Sequence, residues 1–376
     1  MKVLLIGHAY LLWKEFHKKL GALSKLDPDL DLYLLVPKTW KHSLKAYELS
    51  DLAGQGYHVL PAEVFLGGVY WRYFFLHPTL HLERIKPDII QVDQEPTAIA
   101  FFQAMVMRRL LRPQAKVVFF VWQNIYRKYS FYRELIQRFN LTRANYAIAG
   151  NQEAVTVLRR KGYRGPVAVM PQFGVDECLF QKVDPSDLKC RLGLGSPVVG
   201  FVGRFVEEKG VVTLIEALAK MDREVQLLLV GGGNLEPQMR RLAGSLGIGE
   251  KLVFAGVVPS EELPAYLNCM DVLVLPSLTT PSWKEQFGHV LVEAMSCQVA
   301  VVGSDSGEIP DVIGTAGLIF REKDSDELKE KLVQLFENPT LRRELGFRGR
   351  ERVLQEYTHQ VIAKRTIHIY HQLMAD

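Results

Sequence analysis

The stretch EQFGHVLVEAM, residues 285–295, places two glutamates eight positions apart, Glu285 and Glu293, around Phe287, Gly288 and His289. On one continuous helix these acids would stand about 80° apart and roughly 12 Å along the axis, too far to meet at one small ligand. A different partition resolves the spacing. DVLVLPS reads as a strand, TTPSWKEQFG as a loop and HVLVEAM as the start of a helix. Glu285 then lies in the loop, and Glu293 inside the helix about 7.5 Å beyond Gly288. One acid can address one end of an extended ligand and the second the other end. Between them, N–H groups near Gly288 and His289 form a helix N-terminus suited to a diphosphate. A carboxylate accepting from a vicinal diol holds a ribose in many folds, and the other acid can hold hydroxyls of a second sugar. The ligand so described is sugar–diphosphate–nucleoside. The plain alternative is a loop acid beside a helix-capping acid.

Two upstream loops have the same character. PVVGFVGRFVEEKG is a strand followed by Gly203-Arg204 and then Lys209-Gly210 before a helical run. Arg offers a fork and Lys a point charge to phosphate oxygens. VQLLLVGGGN ends in Gly231-Gly232-Gly233, again before a helix-like segment. This is either a close backbone approach to a ligand or a tight turn; it is neither G-x-G-x-x-G nor G-x4-G-K-[ST].

The elements that must carry these loops alternate along the chain. Six apolar runs in the first half (KVLLIG, DLYLLVP, DIIQVD, KVVFFVW, YAIAGN, VAVMPQ) and six in the second (PVVGFVG, VQLLLVGGG, KLVFAG, DVLVLPS, VAVVGSD, AGLIF) are separated by helix-like segments. Continuous apolar strands with helical crossovers predict parallel sheets covered on both faces. The series restarts after about residue 172, where MPQFGVDECLFQKVDPSD loses periodicity. The expected organisation is therefore α/β, with two Rossmann-like doubly wound domains facing across a cleft: 1–172, 173–355, and a helix over 356–376 packing back on the first. Ligands of such sheets bind beyond the carboxyl ends of the strands.

Composition narrows the class. The chain has 376 residues, 48% hydrophobic and 23% charged, enough for two domains. No run approaches the ~18–20 apolar residues of a membrane span, and MKVLLIG reads as a first strand rather than a cleaved leader. The four cysteines form no C-x-x-C pair, which predicts free thiols, a cytosolic setting, and neither a disulfide scaffold nor a zinc site. Net charge is uneven. Residues 1–172 hold 24 Lys and Arg against 13 Asp and Glu, a balance of +11, whereas residues 173–376 hold 22 against 29, a balance of −7. Opposite signs suggest domains with different partners, or simply drifting surface charge.

Taken in order, GRFVEEKG, LLLVGGG, VFAGVVPSEELPAYLNCMDVLVLPS, EQFGHVLVEAM and SDSGEIPDVIG resemble the donor half of a family-4 retaining glycosyltransferase of the GT-B fold (glycosyl transferases group 1). The series spans about residues 196–320; the likeness of the first half is mainly architectural. The resemblance implies Arg204 and Lys209 on the donor diphosphate, with Gly203, Gly231, Gly232, Phe287, Gly288 and His289 shaping the donor site. It puts Glu293 on the ribose and Glu285 on the transferred sugar. It also sets the backbone of Val257 and Val258 against the base and Gly307-Glu308 on the sugar side. It implies no metal or cofactor, and front-face chemistry in which the leaving diphosphate helps deprotonate the acceptor. One departure stands out. Many relatives carry a histidine at the end of the strand matching KVVFFVW, where this chain reads Trp122-Gln123-Asn124. Gln123 and Asn124 are the expected replacements, able to hydrogen-bond but not to titrate, and His8 is the nearest alternative in the first domain.

The acceptor should meet the first domain. VYWRYFF (69–75), RRLLR (108–112) and IYRKYSFYRE (125–134) interleave aromatics with Arg and Lys. They suit phosphorylated or lipid-linked sugars at the inner face of a membrane, or snorkelling side chains over a core edge; nucleic acid, bound by charge and stacking, is the least favoured. Asp93 and Glu95, in VDQEPT, are expected as acceptor-hydroxyl ligands or as a helix N-cap pair. Two other readings compete with transfer to an acceptor: an epimerase of UDP-linked N-acetylhexosamine, and a non-catalytic nucleotide-sugar binding subunit.

Overall fold

A computed structural model describes residues 1–42, 45–48, 56–195 and 197–375. The chain divides into two compact units, Met1–Gly174 with His359–Asp376, and Val175–Thr358.

In the first unit the elements run β1 (Lys2–Ile6), α1 (Lys14–Leu26), β2 (Asp31–Pro37), β3 (Thr39–His42), β4 (Lys45–Glu48), β5 (His58–Ala62), β6 (Val64–Phe65), β7 (Phe74–Phe75), α2 (Thr79–Ile85), β8 (Ile89–Val92), α3 (Ile99–Leu111), β9 (Lys116–Val121), α4 (Phe131–Leu141), β10 (Tyr146–Ala149), α5 (Gln152–Arg160) and β11 (Val167–Val169). Seven strands form one sheet in the order β11-β10-β9-β8-β1-β2-β5, with every pairing parallel. The chain fills the sheet outward from β1 to β5 and then, from β8, toward the other edge, so the loops bearing His8 and Asp93 leave the sheet side by side at its switch point.

All six apolar runs anticipated in this half are strands. β5 was not anticipated, for a local reason: HVLPA contains a proline, and it is tolerated because β5 is the edge strand beyond β2, where a missing N–H costs little. The hairpins β3–β4 and β6–β7 likewise carry no apolar run.

The remaining elements are α6 (Ser186–Leu192), β12 (Val198–Arg204), α7 (Val211–Ala219), β13 (Gln226–Gly232), α8 (Glu236–Ser245), β14 (Leu252–Gly256), α9 (Leu263–Asn268), β15 (Val272–Leu275), α10 (His289–Ser296), β16 (Ala300–Ser304), α11 (Ile309–Ile313), β17 (Gly317–Phe320), α12 (Ser325–Glu337), α13 (Pro339–Glu356) and α14 (His359–Ala375). The second sheet has the order β14-β13-β12-β15-β16-β17, again wholly parallel. In chain order this is 3-2-1-4-5-6, the doubly wound arrangement, and its switch point lies between β12 and β15. Both sheets are buried on two faces, as near-continuous strands such as LLLV and VLVL require.

Helix α14 belongs to the first unit. Its Ile362, Ile369 and Tyr370 share a core with Phe16 and Leu20 of α1. Polar ties fix it there: His359 Nε2 lies 2.8 Å from Glu15, His371 Nε2 lies 2.8 Å from Asp27, and Tyr370 donates to Gln91 of β8 at 2.5 Å. No helix among the described residues is long and apolar enough to cross a membrane.

Candidate functional site

At the switch point of the second sheet, β12 ends in Gly203-Arg204 and β13 in Gly231-Gly232, with Gly203 opposite Gly231 and Arg204 opposite Gly232. Two glycine-bearing strand ends side by side leave backbone open where a ligand would approach. Arg204 is exposed, with its guanidinium 3.7 Å from Glu208. The chain then makes one tight turn over Glu207–Lys209, which swings the Lys209 side chain back toward β15.

There Lys209 Nζ lies 2.5 Å from Oε2 of Glu285. Ser277, which follows β15, donates from Oγ to the same oxygen at 2.8 Å. Glu285 is only 7% exposed, so its carboxylate is largely out of bulk water and depends on polar partners such as these. The Lys209 ammonium also sits 5.0 Å from the centre of the Trp283 ring, a cation–π contact. A hydrogen-bonded framework holds the loop between them. Thr279 donates from N and Oγ1 to Glu322 at 2.5 Å each, and Thr280 and Trp283 close on each other through N–H to carbonyl bonds of 2.8 and 3.4 Å.

After Glu285 the chain turns through Phe287, which is buried, into α10. Gly288 occupies the N-cap at φ 79°, a left-handed backbone that a side chain would strain, and a Cβ there would press within 2.8 Å of Leu275. Glycine thus lets α10 begin directly over the strand end. His289 opens the helix, its ring 4.7 Å from that of Phe287. Glu293 follows one turn later, about 6 Å along the axis, and is half-buried. From the neighbouring strand β16 comes the Ser306–Glu308 loop, where Glu308 N donates to the Glu285 carbonyl at 3.2 Å. Val257 and Val258 follow β14, and Val257 is 82% exposed.

Lys209, Glu285 and the Gly307-Glu308 loop are therefore brought into contact. Arg204, Gly231 and Gly232, Val258, His289 and Glu293 occupy adjoining strand ends and the first two turns of α10. Sequence reasoning passed over Ser277, although a serine ending a buried strand was a signal. It also passed over Trp283, and over Glu322, whose tie to Thr279 spans 43 residues and leaves no trace in spacing.

In the first unit the sequence-level expectations need revision. Asp93 is buried and accepts from the Tyr10 hydroxyl and from Gln91 Nε2 at 2.9 Å, so its carboxylate is consumed by the core. Neither Asp93 nor Glu95 caps α3, which starts at Ile99 with Ala98 at its N-cap. Glu95 instead closes the end of β9, its Oε1 accepting from the N–H groups of Trp122 and Gln123 at 2.9 and 3.2 Å. The Gln123 side chain is engaged within its own loop, donating to the Ile125 carbonyl at 2.8 Å and accepting from Tyr129 at 3.0 Å. Asn124 is buried beside it. His8 accepts at Nδ1 from Gln94 at 2.7 Å, with its ring 4.5 Å from Trp40.

Burial pushes the Glu95 carboxyl up to about 7, against the pull of those two N–H groups; its Oε2 is buried without a partner. Between its ordinary value of 4.5 and about 7, the folded chain keeps a proton that the unfolded chain has lost. Its contribution is fully present below the lower value and is lost as pH rises through the higher one, by on the order of 3 kcal/mol. Glu95→Gln keeps the accepting oxygen and removes the titration. In urea denaturation the variant should gain on the wild type steadily across this window; a pH-independent difference would show that Glu95 is ionised throughout.

Comparison with known proteins shows what this part of the chain is similar to. Residues 189–352 match the model of Glycosyl transferases group 1. The chain is 33% identical over 221 residues to alpha-maltose-1-phosphate synthase of Mycolicibacterium smegmatis, covering 54% of this chain and 56% of that protein. It is 34% identical over 206 residues to the GDP-mannose-dependent alpha-(1-6)-phosphatidylinositol monomannoside mannosyltransferase of the same organism, covering 51% and 54%. These matches take in about half the length of each curated relative. Across the whole chain the fold is that of Anabaena HepE in complex with UDP, with a TM-score of 0.76, 19% identity, and coverage of 99% of this chain and 100% of that one.

Proposed function

We propose that this protein is a retaining glycosyltransferase moving a hexose from a UDP- or GDP-linked donor to an acceptor hydroxyl. The observation that carries the reading is the Lys209–Glu285 pair, braced by Ser277, at the strand ends beside the α10 N-terminus. On donor binding the diphosphate competes with Glu285 for the Lys209 ammonium, with Arg204 and the first N–H groups of α10 adding positive potential. Glu285, released from part of its pairing, accepts from hydroxyls of the transferred sugar, and Glu293 from the ribose. The acceptor oxygen forms the new bond to the anomeric carbon as the bond from that carbon to the diphosphate oxygen breaks. The acceptor proton passes to the departing diphosphate, and attack from the same face keeps the anomeric configuration.

Thermal shift against a panel of UDP- and GDP-sugars tests the donor assignment, because a ligand at 100 times its Kd stabilises the fold by about 2.7 kcal/mol. Proton NMR of the first product then reads the anomer; an inverted product, or no stabilisation by any nucleotide-sugar, would overturn the proposal. Conversion of donor without acceptor would favour an epimerase.

Positive charge for the leaving group comes here from Lys209 and Arg204. Among the described residues no group of three or more His, Cys, Asp or Glu side chains stands together as a metal site. With the charge of Lys209 and Arg204 in place, transfer should survive EDTA. Loss of turnover with chelator, restored by magnesium or manganese, would assign the diphosphate to a metal instead.

A further inference from the structure

Helix α4 turns a second set of apolar side chains to the outside. A surface helix normally turns its apolar stripe inward and its polar residues to water. Here Phe131, Leu135, Arg138 and Thr142 recur at the spacing of a single face, and that face points outward: Phe131 is 79% exposed, Leu135 50% and neighbouring Tyr132 53%. The inward face carries Gln137, Asn140 and Leu141, all buried, with Asn140 donating to the Pro96 carbonyl at 2.9 Å, Leu141 in the core and Phe139 packed against it. Beside the exposed stripe runs an open groove of about 660 Å³, lined by Phe102 of α3, Tyr132, Leu135 and Phe139, with Arg138 and Arg143 in the same lining.

The fold joins to this helix the other aromatic–basic segment of the first unit. Tyr132 lies 6.4 Å from Trp71, and the Arg133 guanidinium sits 4.5 Å from the Trp71 ring and 4.1 Å from that of Tyr129. Arg72 approaches the Trp71 ring at 5.4 Å, and Tyr70 is 54% exposed. Arg127, Lys128, Arg138 and Arg143 are exposed around the same helix. Its one acid, Glu134, is held by Lys161 at 3.1 Å.

We propose that α4, with Tyr70–Arg72 beside it, docks this protein in the plane of an anionic bilayer surface. Phe131, Tyr132 and Leu135 enter the boundary between headgroups and acyl chains while Lys128, Arg138 and Arg143 meet lipid phosphates. The pattern is that of an interfacial helix, apolar and aromatic on the face that meets the bilayer and basic around it. Net charge decides the lipid: a basic surround gains from anionic headgroups and nothing from neutral ones. The loop bearing Gln123 and Asn124 leads directly into α4, so docking also brings the end of β9 toward the lipid. This inference stands apart from the proposed transfer reaction and does not require it.

Flotation of the whole protein with vesicles tests it. Binding to phosphatidylcholine vesicles containing phosphatidylglycerol should exceed binding to phosphatidylcholine alone by at least ~tenfold at low salt, and should fall as salt rises. Phe131→Ser with Leu135→Ser should reduce binding at least ~tenfold with an unchanged melting temperature, since neither side chain is in the core. Arg138→Ala and Arg143→Ala should each cost about fivefold and flatten the salt dependence. Equal binding to neutral vesicles, or serine variants that float like the wild type, would overturn the proposal. So would serine variants that change the sedimentation coefficient of a wild type that binds no vesicles, because the face would then join copies of this chain.

Discussion

Lys209→Ala and Glu293→Ala should each weaken nucleoside diphosphate binding by ~1.5–3 kcal/mol, about tenfold to a hundredfold, whereas Glu285→Ala should chiefly lower turnover. Under the proposed reaction, Lys209 supplies charge to the diphosphate and Glu293 holds the ribose, so both act on the part of the donor that a free nucleoside diphosphate retains. Glu285 addresses the sugar, which that ligand lacks. The ion pair adds a second consequence. Removing Lys209 takes the cation from the buried Glu285 carboxylate, to which Ser277 also donates, and a buried charge that loses its counter-charge is costly. Lys209→Ala should therefore also lower stability, and adding Glu285→Gln should restore part of that loss without restoring affinity. Calorimetric titration with UDP and GDP, alongside urea denaturation, separates the two effects. Unchanged diphosphate affinity in both Lys209→Ala and Glu293→Ala would overturn the assignment.

The second large effect is expected at Gly307. Its φ of 54° lies in the left-handed region, and a Cβ there would run into the backbone carbonyl of Glu285. Backbone cannot swing aside as a flexible side chain can. Gly307→Val should cost on the order of 2–4 kcal/mol, and turnover should fall further than stability alone explains because the peptide of Glu285 must shift. Gly244→Ala is the matched control: it lies in α8 with nothing within 4 Å of a new Cβ, and should be neutral or stabilising by about 0.5–1 kcal/mol. A Gly307→Val protein with wild-type stability and turnover would remove the tight approach of the β16 loop to Glu285 from the account.

Much of the fold was legible because both sheets are parallel and covered on two faces. Their strands must then be short continuous apolar runs, and all twelve runs read from the sequence are strands. The elements passed over, β5 and the two small hairpins, lie outside the central sheet strands, where apolar continuity is not required. The glycine loops, the Phe-Gly turn into α10 and the two glutamates were legible for a similar reason: a doubly wound sheet places ligand-facing residues immediately after its strands, so position in the chain reports position in space.

Whatever depended on residues far apart in sequence was decided only by the tertiary structure. Nothing in the spacing of Lys209 and Glu285, 76 residues apart, says that they pair; that follows from β12 and β15 being neighbours at the switch point. Asp93 and Glu95 look alike in VDQEPT. The fold commits one to Tyr10, 83 residues away, and the other to the end of β9, 27 residues away, because both acids lie beyond the last residue of β8, where the alternation of a strand no longer sets their direction. The outward stripe of α4 also belongs to the tertiary structure. Its composition is that of an ordinary amphipathic helix, and only the packing that buries Gln137, Asn140 and Leu141 turns Phe131 and Leu135 to the outside.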